Sequence, residues 1–130
     1  MANTAVKAES TAQQLFSLTL KDGDVIKADG KFRGLKATRN LIHGVDLPDY
    51  DLNLAISVKW DFVTGQYGTG DFSATLLGTI DGKAIRLGSD EGTIDVTRLD
   101  SNNIKGNYRV NFSSDNNTWV ATGEFELHHD

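Results

Sequence analysis

The segment Asp51–Trp60, DLNLAISVKW, alternates without interruption between two sets of residues. Leu52, Leu54, Ile56, Val58 and Trp60 fall in one phase, and Asp51, Asn53, Ala55, Ser57 and Lys59 in the other. Successive side chains of a strand point to opposite faces, so this segment makes a strand with one dry side and one wet side. A helix would scatter the same apolar residues around its circumference. A strand of this kind must bury its dry face against another layer, which restricts the chain to sheet-based folds.

The same period recurs along the chain. Phe16, Leu18 and Leu20 share a phase, followed by Ile26, Ala28, Gly30 and Phe32. Phe72, Ala74, Leu76, Gly78 and Ile80 form a third set, with Ile85 and Leu87, then Ile94 and Val96, after it. Two long alternations close the chain: Ile104, Gly106, Tyr108, Val110 and Phe112, then Trp119, Ala121, Gly123, Phe125 and Leu127. About eight antiparallel strands in a meander are expected, closing as an all-β, up-and-down barrel, with a two-layer β-sandwich as the alternative. The chain of 130 residues suits one such domain, placed at 14–127. Residues 1–13, small and polar, read as an N-terminal tail, and 128–130 as a C-terminal tail.

These alternating strands resemble a small lipocalin-like or calycin-like barrel, a likeness of architecture that carries no function with it. Two hairpins have an expected register. Asp81-Gly82 is the two-residue signal of a type I′ turn and sets Leu76 opposite Leu87 and Gly78 opposite Ile85. A four-residue loop, Ser113–Asn116, sets Val110 opposite Trp119, Ile104 opposite Phe125 and Lys105 opposite Glu124. Gly30, Gly70, Gly106 and Gly123 each stand two residues before an aromatic, in its phase. Glycine inside a strand marks a bend or a close approach, so these repeats read as architectural, and Ser89–Gly92 reads as a hairpin turn. The loop at Thr64–Gly70 lacks the following helix that a phosphate-binding glycine motif requires.

The stretch Arg33–Tyr50, RGLKATRNLIHGVDLPDY, breaks the alternation and reads as a connection with a short helical turn near Leu35–Leu41. It gathers Arg33, Lys36, Arg39 and His43 in a chain whose net charge is -5. That cluster suits a lid drawing a polar or anionic ligand to the barrel mouth. The overall acidity argues against nucleic acid as a partner, and no apolar run reaches the length of a membrane span. With no cysteine there is no disulfide and no thiolate chemistry. Asp46, Asp49 and Asp51 are the best candidates for a hard cation, but the histidines show no metal-ligand spacing, and no metal or cofactor is expected.

Catalytic signals are thin. No nucleophile elbow occurs, and Tyr108 is the main ionisable group on an apolar face. The favoured expectation is a non-enzymatic module binding a small, partly apolar or anionic ligand inside or at the mouth of the barrel. Trp60, Phe72, Tyr108 and Trp119 would line the site, with Arg33, Arg39 and His43 at its entrance. One alternative is a protein or carbohydrate interaction module using the outer face rich in Ser, Thr and Asn. The other is a small enzyme using Tyr108, His43 or the Asp46–Asp51 loop as acid and base. Pairing of the first and last strands would give a monomer, and an unpaired Phe16–Leu20 edge a homodimer.

Overall fold

The computed structural model describes residues 14–129, and among them there is no helix. Ten strands follow in chain order: β1 (Leu15–Asp22), β2 (Val25–Lys31), β3 (Gly34–Thr38), β4 (Leu41–Val45), β5 (Asp51–Val58), β6 (Gly65–Tyr67), β7 (Phe72–Ile80), β8 (Lys83–Arg98), β9 (Asn103–Ser114) and β10 (Asn117–His128). Nine of them form one curled antiparallel sheet in the order β2-β1-β10-β9-β8-β7-β5-β4-β3, and β6 pairs with β8 off this path. The order is a meander in which the first strand pairs with the last and the path's two ends, β2 and β3, are consecutive in the chain. The fold is an all-β, barrel-like sheet.

Two bends give this sheet its curl. Strand β2 pairs with β1 up to Lys31, and after Phe32 and Arg33 the chain joins β4 as β3. The link is held by Phe32 N donating to Phe16 O at 2.9 Å and Arg33 N donating to Asp46 O at 3.0 Å. Strand β8 makes the second bend: Lys83–Gly88 pairs with β7, the register slips between Ser89 and Gly92, and Gly92–Arg98 pairs with β9. A bulge of this kind lets one strand serve two sheet faces that lie at an angle. Ser89–Gly92 is therefore a bend within a strand, where a hairpin turn was expected.

The concave side is filled. Phe16 lies at the centre of an aromatic cluster, 5.1 Å from Phe32, 6.0 Å from Tyr108 and 6.4 Å from Phe125 between ring centroids, the last two edge-on. Edge-to-face pairs add about 0.5–1.5 kcal/mol to the burial of the rings themselves. Glycines make room for these rings across strand pairs: Phe125 lies over Gly106 and Tyr108 over Gly123, each directly opposite its glycine in the β9–β10 ladder. Both glycines also lie against a backbone oxygen of the strand on their other side, Asp95 O and Ser17 O, and Gly78 shares that constraint. Its φ is +147°, and a β-carbon there would overlap Asp51 O of the neighbouring strand.

The first hairpin follows the expected register, Leu76↔Leu87 and Gly78↔Ile85, around Asp81 and Gly82, whose φ values are +53° and +78°. The last does not. Asp115 and Asn116, at +47° and +70°, form a two-residue turn, so Trp119 faces Phe112, Ala121 faces Val110, Leu127 faces Ile104 and Lys105 faces Glu126. The shift is two residues, which leaves every side chain on its expected face.

Two further expectations change. Arg33–Tyr50 holds no helical turn; β3 and β4 form a hairpin through it, burying Ile42 and resting Leu35 and Ala37 against the core. Within Thr64–Gly70, Gly65–Tyr67 is strand β6, paired to β8 from Val96 to Ile94. At the C-terminus β10 reaches His128, and His129 is buried with its N–H donating to Asn102 O at 2.8 Å. The segment expected to be an N-terminal tail lies outside the described residues.

Candidate functional site

Strand β5 ends at Val58, where the chain bends away before completing its alternation. Val58 N donates to Asn40 O at 2.9 Å, and four residues later Phe62 N donates to Arg39 O at 2.8 Å. Between these two anchors the chain loops outward through Lys59, Trp60 and Asp61. Phe62 thus takes the inward place that the alternation assigned to Trp60 and is fully buried, while Trp60 is 77% exposed.

Phe62 is held from both sides. Its ring packs edge-on to Tyr67, with centroids 6.3 Å apart. Its carbonyl accepts from Arg98 Nε at 2.8 Å and Nη2 at 2.6 Å. Arg98 Nη1 also donates to Asp100 O and Ser101 O, each at 3.1 Å. Three backbone oxygens on one planar guanidinium tie the outward loop to the end of β8. Tyr67 completes the tie: its hydroxyl accepts from Val63 N at 2.8 Å and donates to Asp61 O at 3.1 Å.

The loop so fixed borders a cleft of about 790 Å³. Trp60 and Val63, both exposed, form its apolar part. Its charged lining consists of two cations, Arg39 and Lys59, and two carboxylates, Asp61 and Asp71, joined by the amide of Gln66. Arg39 Nε and Asp61 Oδ1 are 3.5 Å apart on the rim. Gln66 is pre-oriented, its Nε2 donating to Asp95 Oδ1 at 3.0 Å. An uncovered indole beside donors and acceptors can stack on a ring while its neighbours hold the ring's edge.

Of the seven residues expected to form a site, the fold brings Trp60 and Arg39 to this cleft. Tyr108 is buried in the core, where its hydroxyl donates to Ser17 O at 2.6 Å and burial pushes its titration far above the ordinary phenol range. It has no free face for proton transfer. Phe72 is half-buried and packs against the core. Arg33 is exposed beside the β2–β3 bend, and His43 sits on β4 opposite Lys36 and Ala55. Trp119 belongs to another cleft, lined also by Lys27 and Asp81. Its ring is buried and its Nε1–H has no hydrogen-bond partner among the described residues. A donor left so costs about 1–3 kcal/mol.

Phe62, Arg98 and Gln66 escaped the sequence reading. Phe62 continues the phase of Val58 and Trp60, and that continuation is the one signal that a second aromatic competed for the inward place. Arg98 carried no pattern. Among the described residues no group of three or more His, Asp or Glu is placed to hold a metal ion, so Asp46, Asp49 and Asp51 do not assemble into a site. Asp51 instead accepts from Thr79 Oγ1 at 3.0 Å. No helix among the described residues is long and apolar enough to cross a membrane. Comparison with family models, curated proteins and solved structures finds no match to this chain.

Proposed function

We propose that this protein is a binding module that takes a small, partly apolar ring molecule at the mouth of the barrel, and that the ring is a saccharide. The observation that carries this reading is Trp60, 77% exposed on a loop that hydrogen bonds hold on both sides. An indole of that size left in water gains most from a ligand with a flat apolar face. A sugar ring offers such a face of C–H groups and surrounds it with hydroxyls that both donate and accept. The lining answers that mixture with matched cations and carboxylates and a fixed amide, a balance that favours a neutral ligand over a charged one. A lipocalin-like use of the barrel, with the ligand inside, is less favoured because Phe16, Phe32, Tyr108 and Phe125 occupy the interior.

The test uses a Trp119→Phe variant, in which Trp60 is the one remaining tryptophan. Titration with neutral mono- and oligosaccharides is expected to change Trp60 emission saturably, and Trp60→Ala in the native chain to abolish binding, read by calorimetry, without lowering the melting temperature. Binding that survives Trp60→Ala, or no response across a broad glycan panel, overturns the reading.

A further inference from the structure

The second cleft, about 490 Å³, opens where the β7–β8 turn approaches the edge strand β2. Its walls are of two kinds. Ile80, Ile85, Leu87 and the Trp119 ring supply an apolar floor. Lys27 spans the opening, with Nζ 2.8 Å from Asp81 Oδ2 and 5.9 Å from the centroid of the Trp119 ring. The Lys27 side chain is mostly covered, 22% exposed, whereas that of Asp81 is 71% exposed, so the carboxylate is the partner that can leave.

Two hydrogen-bond donors, Lys27 and Trp119, line this cleft, whose polar rim also carries Asp22, Asp115, Lys83 and Arg86. The ammonium of Lys27 has Asp81 as its acceptor. The indole N–H of Trp119, withdrawn from water in a residue 8% exposed, has none among the described residues. Buried N–H groups in native proteins are almost always paired, so an orphan beside a cavity calls for an explanation, and an acceptor supplied by a ligand is one. Exchange of the Asp81 carboxylate for a ligand carboxylate would keep Lys27 paired and give Trp119 the acceptor it lacks.

We infer that this cleft is a second ligand site, for a small organic carboxylate with an apolar body, and that Asp81 holds the place of the ligand's head until it binds. The ligand's carboxylate takes Lys27 from Asp81 and, as the pair swings aside, accepts from Trp119 Nε1. Its hydrocarbon lies against Ile80, Ile85 and Leu87, where apolar surface is removed from water. No covalent step is involved. The site is independent of the Trp60 cleft, with which it shares no lining residue.

The probe is octanoate, below its micellar concentration, with octanol as its uncharged counterpart, on a Trp60→Phe background that leaves Trp119 as the one indole. Octanoate is expected to move the Trp119 indole N–H proton resonance downfield and to alter Trp119 emission saturably. Octanol should bind about tenfold or more weakly, the difference expected for one charge-assisted hydrogen bond. Lys27→Met should weaken octanoate by a similar factor and leave octanol unchanged, which also shows that the variant is folded. Asp81→Asn should tighten octanoate, because a competing carboxylate is gone, whereas a purely structural ion pair would give no gain. Equal binding of octanoate and octanol, weaker octanoate binding in Asp81→Asn, or an indole resonance that never moves would each overturn the inference.

Discussion

At the Trp60 corner an aromatic ring plugs the gap beside the sheet, and at the Trp119 corner an ion pair spans it. Phe62 is fully buried, and its carbonyl receives two N–H groups of Arg98. The other corner has Lys27 and Asp81, side by side across an open cleft, above an indole whose N–H has no partner among the described residues. A plug is stabilised by packing that water cannot replace, whereas a solvent-facing ion pair competes with water at every moment. The first corner is therefore a fixed platform that presents Trp60 outward. The second is a cover that a competing anion can lift.

Removing the plug should have the largest effect. Phe62→Ala leaves a cavity where β6, β8 and the β3–β4 turn meet and releases the loop that carries Trp60. A loss of about 3–5 kcal/mol is expected in urea denaturation, in the range for large aromatic truncations in a core. Saccharide binding should fall with it, even though Phe62 touches no ligand. A loss below about 1 kcal/mol would show that the loop is held by Arg98 and Tyr67 alone and that the ring is incidental.

The opposite corner should tolerate what the first does not. Trp119→Phe removes the unpartnered N–H together with some packing, and these effects oppose each other. The net cost should stay below about 1 kcal/mol, much less than a fully satisfied buried tryptophan would show. A cost of about 3 kcal/mol would mean that the indole N–H is satisfied in solution and that the two corners are alike.

A smaller and local effect distinguishes the anchor of the plugged corner. Asp100 accepts from Asn102 N at 2.8 Å and from Asn103 Nδ2 at 2.8–2.9 Å, and these bonds, the Asn102 backbone N–H first, hold its carboxyl below the ordinary value of 3.8. A carboxyl with a lowered folded-state value contributes its stability fully above the unfolded value and loses it as pH falls through the folded one. Amide exchange in residues 99–103 should therefore accelerate below pH 3.8 ahead of the β9–β10 ladder, and Asp100→Asn should remove that pH dependence. Exchange that rises uniformly across the chain would show that this turn is no separate unit.

The hairpin registers show how far local chemistry reaches. Asp81-Gly82 determined its turn, because few other residues accept positive φ at both central positions. The run Ser113–Asn116 allowed either a four-residue loop or the tighter Asp115–Asn116 turn, since asparagine and aspartate both enter the left-handed region. The alternation could not choose between them, as a slip of two residues keeps every apolar side chain inside. Strand identity survived the error and partner identity did not. The basic stretch Arg33–His43 failed for another reason. Its strands are five residues each, too short for the period to show, and the β3–β4 hairpin exists because β5 offers it an edge.

What the sequence alone determined about this protein is the alternation, and through it the class of fold and the faces of the long strands. Those follow from a two-residue period that each segment carries within itself. Which aromatic turns inward after Val58, which arginine ties it down, and which buried N–H lacks a partner were decided only in the tertiary structure. Each depends on backbone oxygens and neighbouring strands that lie far away in the chain, and no local pattern records where those will be.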